Sequence, residues 1–215
     1  TDYVVRTEDE LGKLSSRLWG IYRNYELTTP PEEITEEITF QGRKLVEVNE
    51  KLRGLSFRDE LTGLYNHRYL QEKLVEEFTR SVRYRHSLSC LLIDLDQFRQ
   101  VNETLGYAVG DEILKEAAGI LLGSSRLSDL IARFGGEEFV ILLPHIDYQG
   151  ALEVAERLCE LFAKHTFLSR SHQISMTVST GISSFPEDAV KHRSELLSFA
   201  DQALFQAKAA GRNRV

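Results

Sequence analysis

Only two cysteines, Cys90 and Cys159, occur in 215 residues. A disulfide framework is thereby excluded, and a reducing, cytoplasmic setting is expected. Positive charge is also in short supply: 26 Lys and Arg stand against 33 Asp and Glu, a formal net charge of −7. A general nucleic-acid binder needs net positive potential to displace condensed counterions, so no nucleic-acid partner is expected. An anionic ligand remains admissible, because a bound divalent cation reverses the local sign. No apolar run approaches the roughly 20 residues of a membrane span, and no signal peptide is recognisable. What is present, 42% hydrophobic and 27% charged residues, is an ordinary globular balance. The length suits one good-sized domain with an appendage, or two small ones.

Residues 1–27 differ in texture from the rest of the chain. Thr1 to Arg6 alternates weakly, like a strand end. Leu11, Leu14, Leu18 and Ile21 then recur at spacings of three and four, one face of a helix. Pro30 and Pro31 end it, since proline lacks the amide donor. Residues 28–55 read as a helical linker with Glu32 and Glu33 in its first turn, where the macrodipole is positive. Ile34, Ile38, Leu45, Val48, Leu52 and Leu55 form a heptad-like seam with Gln41 in its one polar gap. A short parallel coiled coil is expected, with packing against its own domain as the alternative.

Residues 56–215 read as a compact α/β (α+β) domain. Helices are expected over 66–86, 112–122, 150–164 and 194–210, the last stopped by Gly211. The run Ser89–Asp96 is continuously apolar until its acidic end, which marks a buried strand with charge at its tip. Leu130–Arg133 and Phe139–Pro144, separated by Phe134-Gly135-Gly136-Glu137-Glu138, read as a β-hairpin. Residues 174–185 read as one further strand. The order helix, strand, helix, hairpin, helix, strand, helix predicts one antiparallel or mixed sheet flanked by helices.

Two acidic clusters sit at strand tips. Of Asp94 and Asp96, only one is expected to aim into a given site. Glu137 and Glu138 follow two glycines, where missing side chains let a ligand approach the backbone. A carboxylate from each cluster would make a hard oxygen site suited to Mg²⁺. Asn102, Gly106, Gly110 and Asp111 read as a glycine-punctuated polar loop before a helix, able to supply polar groups to a nucleotide. Lys208 and Arg212 lie four apart on one face of the last helix; macrodipole compensation alone would explain them.

Gly135-Gly136-Glu137-Glu138-Phe139, with Asp94-Leu95-Asp96-Gln97-Phe98-Arg99 upstream, resembles the GGDEF family of diguanylate cyclases. So do Asp59-Glu60-Leu61-Thr62-Gly63-Leu64 and the closing Gly211-Arg212-Asn213-Arg214. The resemblance implies a fold like that of nucleotidyl cyclases and polymerase palms. It also implies condensation of two GTP molecules to cyclic di-GMP by a homodimer. Asp94, the Leu95 carbonyl and Glu137 would hold Mg²⁺, or Mn²⁺ in its place, and Glu138 would support the metal or the attacking hydroxyl. Gly135 and Gly136 would lie against ribose and α-phosphate, and Asn102 and Asp111 would bond the guanine edge. The Gln97 and Phe98 amides, Arg99, Lys208 and Arg212 would hold the outer phosphates. Arg126 and Asp129 match the family's Arg-x-x-Asp product-inhibition site, with Arg157 as a secondary arginine. Arg99, Glu103, Tyr107 and Phe205 depart from the family's usual lysine, aspartate, histidine and tyrosine. The alternative is a catalytically silent receptor for cyclic di-GMP or GTP.

Upstream, Thr1–Arg6 resembles the last strand of a response-regulator receiver. Asp9-Glu10-Leu11-Gly12 alternatively resembles the start of a HAMP second helix. Either implies a sensory or receiver module before this segment.

Overall fold

The computed structural model describes residues 57–169, 172–187 and 189–215, together with Ser16, Arg17, Trp19, Thr39 and Phe40. The chain divides into two compact units, Thr1–Ser56 and Phe57–Val215. In the first, the described residues are helical and exposed. The receiver or HAMP segment and the heptad seam lie outside the described residues.

In the second unit the elements run α1 (His67–Tyr84), β1 (Leu88–Leu95), α2 (Phe98–Leu105), α3 (Tyr107–Ser124), β2 (Leu130–Gly135), β3 (Glu138–Pro144), α4 (Tyr148–Lys164), β4 (Thr166–Ser169), β5 (His172–Ser175), β6 (Val178–Phe185) and α5 (Arg193–Ala209). The uninterrupted apolar run of β1 has a simple cause: all eight of its residues are buried. It lies between β3 and β6 in a four-stranded sheet of order β2-β3-β1-β6, with every neighbour antiparallel. Side chains alternate across a strand, so β1 feeds two cores. Leu91, Ile93 and Leu95 pack on one face with residues of α2, α3 and α4. Leu88, Cys90 and Leu92 pack on the other with Leu70 and Leu74 of α1 and Leu196, Ala200 and Leu204 of α5. Among the described residues no helix is long and apolar enough to cross a membrane.

Local chemistry sets the element ends that matter for the site. Asn66 caps α1 by accepting from the Tyr69 amide at 3.0 Å, a contact worth about 1 kcal/mol. Gly181 lets α5 lie directly on β6. A Cβ there would stand 2.0 Å from the Ala200 carbonyl oxygen and 2.3 Å from the Leu204 nitrogen.

Two expectations are corrected. Residues 102–111 are not a loop: α2 and α3 occupy them, with Gly106 alone between, at φ 88°. Phe98, Val101 and Leu105 recur at spacings of three and four and pack on the core, which is the helical signal the glycines obscured. Gly110 is a packing position, since a Cβ would come within 2.0 Å of Asn102 Oδ1. Residues 174–185 are not one strand either. β5 ends at Ser175 and pairs with β4 in a separate two-stranded sheet, and β6 begins at Val178.

Candidate active site

Asp94 stands directly opposite Glu138 in the β1–β3 register. Opposed residues of neighbouring strands share a face, so both carboxyls look toward the α1 and α5 side of the sheet, beyond Leu92 and Val140. The hairpin turn of Gly136 and Glu137 is fastened beside them by a 3.4 Å bond from the Leu95 amide to the Glu137 carbonyl. From the last turn of α5, Lys208 Nζ reaches Asp94 Oδ2 at 2.7 Å. Burial pushes the Asp94 carboxyl above its usual range; Lys208 opposes that rise, while Glu137 and Asp96 add to it. Burial likewise raises Glu138, with the Asp94 charge next in importance. Carboxyls crowded in this way are relieved by a cation, and the Lys208 ammonium already sits where a cation is favoured.

Carboxylate oxygens such as these are hard donors that suit a divalent cation. Among the described residues no three His, Cys, Asp or Glu side chains gather into a cage. A divalent cation held here would complete its shell with waters and substrate phosphates.

Around this centre the sequence-predicted residues fall on three elements. Gln97 stands at the N-cap of α2 at φ 60° and makes no side-chain cap bond to the first amides of the helix, which begins at Phe98. Arg99, on the exposed face of α2, pairs with Glu103 at 2.7 Å. Asn102 Oδ1 is buried and has no hydrogen-bond partner among the described residues. Such an orphan is costly and would be satisfied by a donor from a ligand. Asp111 lies on α3, exposed, one residue past the Gly110 that packs on Asn102. Arg212 is exposed in the turn after α5, at φ 62°.

Asp96 does not share the orientation of Asp94. Two residues apart on one strand would face alike, but β1 stops at Leu95. Asp96 turns instead to Thr177, Ser179 and Asn213.

Sequence reasoning missed Arg133. Its guanidinium bonds both Asp59 carboxylate oxygens, at 3.2 and 3.3 Å, and donates to the Gly136 carbonyl at 3.0 and 2.8 Å. It thus ties the Asp59–Thr62 turn to the β2–β3 hairpin. Burial works to raise the Asp59 carboxyl, but the Thr62 donors and the Arg133 charge outweigh it and hold it below the usual range. The available signal was a charged residue closing an apolar strand just before the two glycines.

A second cluster lies at the end of α3. Asp129 accepts from the Arg126 amide at 2.7 Å, and no ion pair joins their side chains among the described residues. Leu127 between them is fully exposed. Arg157 Nη2, from α4, donates to the Ser124 carbonyl at 3.1 Å, which brings it to the same corner. A cavity of about 270 Å³ opens here, with Arg58, Tyr65, Leu122, Arg126 and Asp129 in its wall.

The model of the family described as "Diguanylate cyclase, GGDEF domain" matches residues 56–214. Diguanylate cyclase DgcP of Pseudomonas aeruginosa is 39% identical over 166 residues, 77% of this chain and 24% of that protein. Response regulator PleD of Caulobacter vibrioides is 37% identical over 164 residues, 75% of this chain and 36% of that protein. The chain therefore corresponds to well under half the length of either relative. Among solved structures, diguanylate cyclase SiaD of Pseudomonas aeruginosa, in complex with its activator SiaC, superposes with a TM-score of 0.70 at 32% identity. It covers 99% of this chain and 82% of its own.

Proposed function

We propose that this chain, which belongs to the GGDEF domain family of diguanylate cyclases, condenses two GTP molecules to cyclic di-GMP and two pyrophosphates. The observation that carries the reading is the pairing of Asp94 with Glu138 beside the Gly136-Glu137 turn, with Lys208 on Asp94. Hard oxygen donors thus adjoin a backbone stretch without side chains, where a nucleotide phosphate can approach closely.

Asp94, the Leu95 carbonyl and Glu137 would hold Mg²⁺, with Mn²⁺ as an alternative. The metal supplies a lowered pKa for the 3′-hydroxyl and charge neutralisation on the leaving pyrophosphate. Glu138, whose carboxyl burial raises, is placed to support the ligand set or to take the hydroxyl proton. Gly135 and Gly136 admit ribose and α-phosphate to the backbone. Lys208 leaves Asp94 for the β- and γ-phosphates, where the Gln97 and Phe98 amides, Arg99 and Arg212 join it. The buried Asn102 oxygen and the Asp111 carboxylate accept from the guanine amine and N1–H. Each domain holds one GTP, so two domains must face one another for each hydroxyl to reach the other α-phosphate. The seam of residues 34–55 is the candidate for aligning that homodimer under an upstream sensory or receiver module.

Base selection tests the reading. Adenine lacks the donor pair that Asp111 and Asn102 would accept, which leaves acceptors unpaired at about 1–3 kcal/mol. ATP should therefore compete about 5- to 150-fold more weakly than GTP in GTP consumption. Equal competition by ATP would show that these residues do not read the base.

Feedback by product is proposed at Arg126, Asp129 and Arg157. Guanidinium planes stack on guanine and fork onto phosphate oxygens, and the Asp129 carboxylate accepts from the guanine edge. Cyclic di-GMP held here would bridge two domains and keep their half-sites apart without occupying the GTP pocket. Arg126→Ala should raise the product concentration needed for half-inhibition about tenfold or more. Inhibition curves that coincide for the variant and the parent would reduce the motif to a surface turn.

A further inference from the structure

The Asp96 carboxylate is only 7% exposed and carries no assigned role. It gathers three neutral donors: Ser179 Oγ on Oδ1 at 2.7 Å, and Thr177 Oγ1 at 2.7 Å and the Asn213 amide at 3.1 Å on Oδ2. The Asp96 amide also donates to the Thr177 carbonyl at 2.9 Å. One side chain therefore joins the tip of β1, beside Asp94, to the segment that leads into β6 and to the turn after α5. That turn has a conformation it could not keep unaided. Gly211, Arg212 and Asn213 have φ of 118°, 62° and 50°, and successive left-handed non-glycine residues persist only where their surroundings over-determine them. Further supports are Gly211 N to the Lys208 carbonyl at 3.4 Å, Arg212 N to the Ala207 carbonyl at 3.1 Å, Thr180 N to the Arg214 carbonyl at 2.9 Å and Arg214 Nε to the Arg212 carbonyl at 3.1 Å.

We propose that Asp96 is a positioning residue that locks the Gly211–Arg214 turn and so aims the Arg212 guanidinium at the outer phosphates of the nucleotide. The proposal rests on the assignment of Arg212 to those phosphates. The oxygen that meets the Asn213 amide must accept, and a carboxylate can turn no donor toward that amide.

The test compares binding of GMP with that of a GTP analogue whose α,β-bridging oxygen is a methylene, which blocks turnover. GMP lacks the outer phosphates, so only the analogue should sense the aim of Arg212. Asp96→Ala should weaken the analogue about tenfold, the loss of one charge-assisted contact, and leave GMP unchanged. Asp96→Asn should fall between, since its one carbonyl oxygen retains Thr177 and Asn213 while the Ser179 hydroxyl reverses to accept. Asn213→Pro removes the donor amide and excludes a φ of 50°, so it should reproduce the loss even if Asp96→Ala does not fold. Asn213→Gly keeps both amide and φ and should behave as the parent. Arg212→Ala sets the maximum effect. Equal loss of GMP and analogue in Asp96→Ala or Asn213→Pro overturns the positioning role, as does no loss of either while Arg212→Ala discriminates. If Arg212→Ala itself fails to discriminate, the phosphate assignment falls and the proposal with it.

Discussion

Glu137→Gln is expected to lower cyclic di-GMP formation on the order of a thousandfold while leaving the unfolding midpoint unchanged. The two halves of that expectation have separate causes. The turn is held by main-chain contacts, through the Glu137 carbonyl on the Leu95 amide and the Gly136 carbonyl on Arg133. The Glu137 side chain is half-buried and makes no hydrogen bond or ion pair among the described residues. An isosteric amide at such a position changes stability by no more than about 0.5 kcal/mol. It does remove one of the two proposed anionic ligands, and Glu138, opposite Asp94 on β3, is assigned a supporting role and not that of a replacement ligand. Initial rates by nucleotide chromatography, beside thermal unfolding of the same preparations, decide the matter. Near-parental turnover would remove Glu137 from the metal site; lost turnover with a collapsed midpoint would assign it a structural role.

The second large effect is on stability. Gly181→Ala should destabilise the domain by about 3 kcal/mol or more, and Gly181→Val should leave no cooperatively folded domain. The atoms a Cβ would meet are all backbone: the Ala200 carbonyl oxygen at 2.0 Å and the Leu204 nitrogen and Cα at 2.3 and 2.9 Å. A rotamer change relieves none of these contacts, so α5 would have to lift from β6. Leu196, Ala200 and Leu204 would leave their core with it. Domains of this kind hold only about 5–15 kcal/mol in reserve. Any Gly181→Ala protein that folds should also lose activity, because α5 carries Lys208 to Asp94. Denaturant unfolding gives the number. A midpoint matching the parent would mean that α5 does not pack as closely as its backbone distances require.

What could be read from the chain came from periodicity and punctuation. The apolar run into Asp94 announced a central strand because both of its faces are buried. The double glycine before Glu137 announced the hairpin, because few other residues leave a turn so bare. The helix expected over 66–86 is α1, whose buried face carries Leu70 and Leu74. The failures share a cause as well. Gly106 and Gly110 were read as chain punctuation, yet Gly110 serves the close packing of α3 against Asn102, and local sequence does not separate those uses. β4 and β5 are four residues each, with β4 burying Phe167 and Ser169 and β5 burying none, too short for an alternation signal. Lys208 on Asp94, Arg133 on Asp59 and Asn213 on Asp96 are contacts between distant parts of the chain, set by sheet order alone. No spacing rule reaches that far. The motif pointed to the carboxylates, whereas the side chains and amides that contact them became visible only once β1, β3, β6 and α5 were assembled.

The chain should be incubated with GTP and Mg²⁺ over a range of protein concentrations, and its products separated by chromatography and identified by mass. Cyclic di-GMP should appear with two pyrophosphates for each molecule formed, at a specific rate that rises with protein concentration because two half-sites must meet. Chelation of the metal should stop it. GTP that binds but is recovered intact at every concentration, including those at which the chain is dimeric, would contradict the cyclase reading and leave a nucleotide receptor.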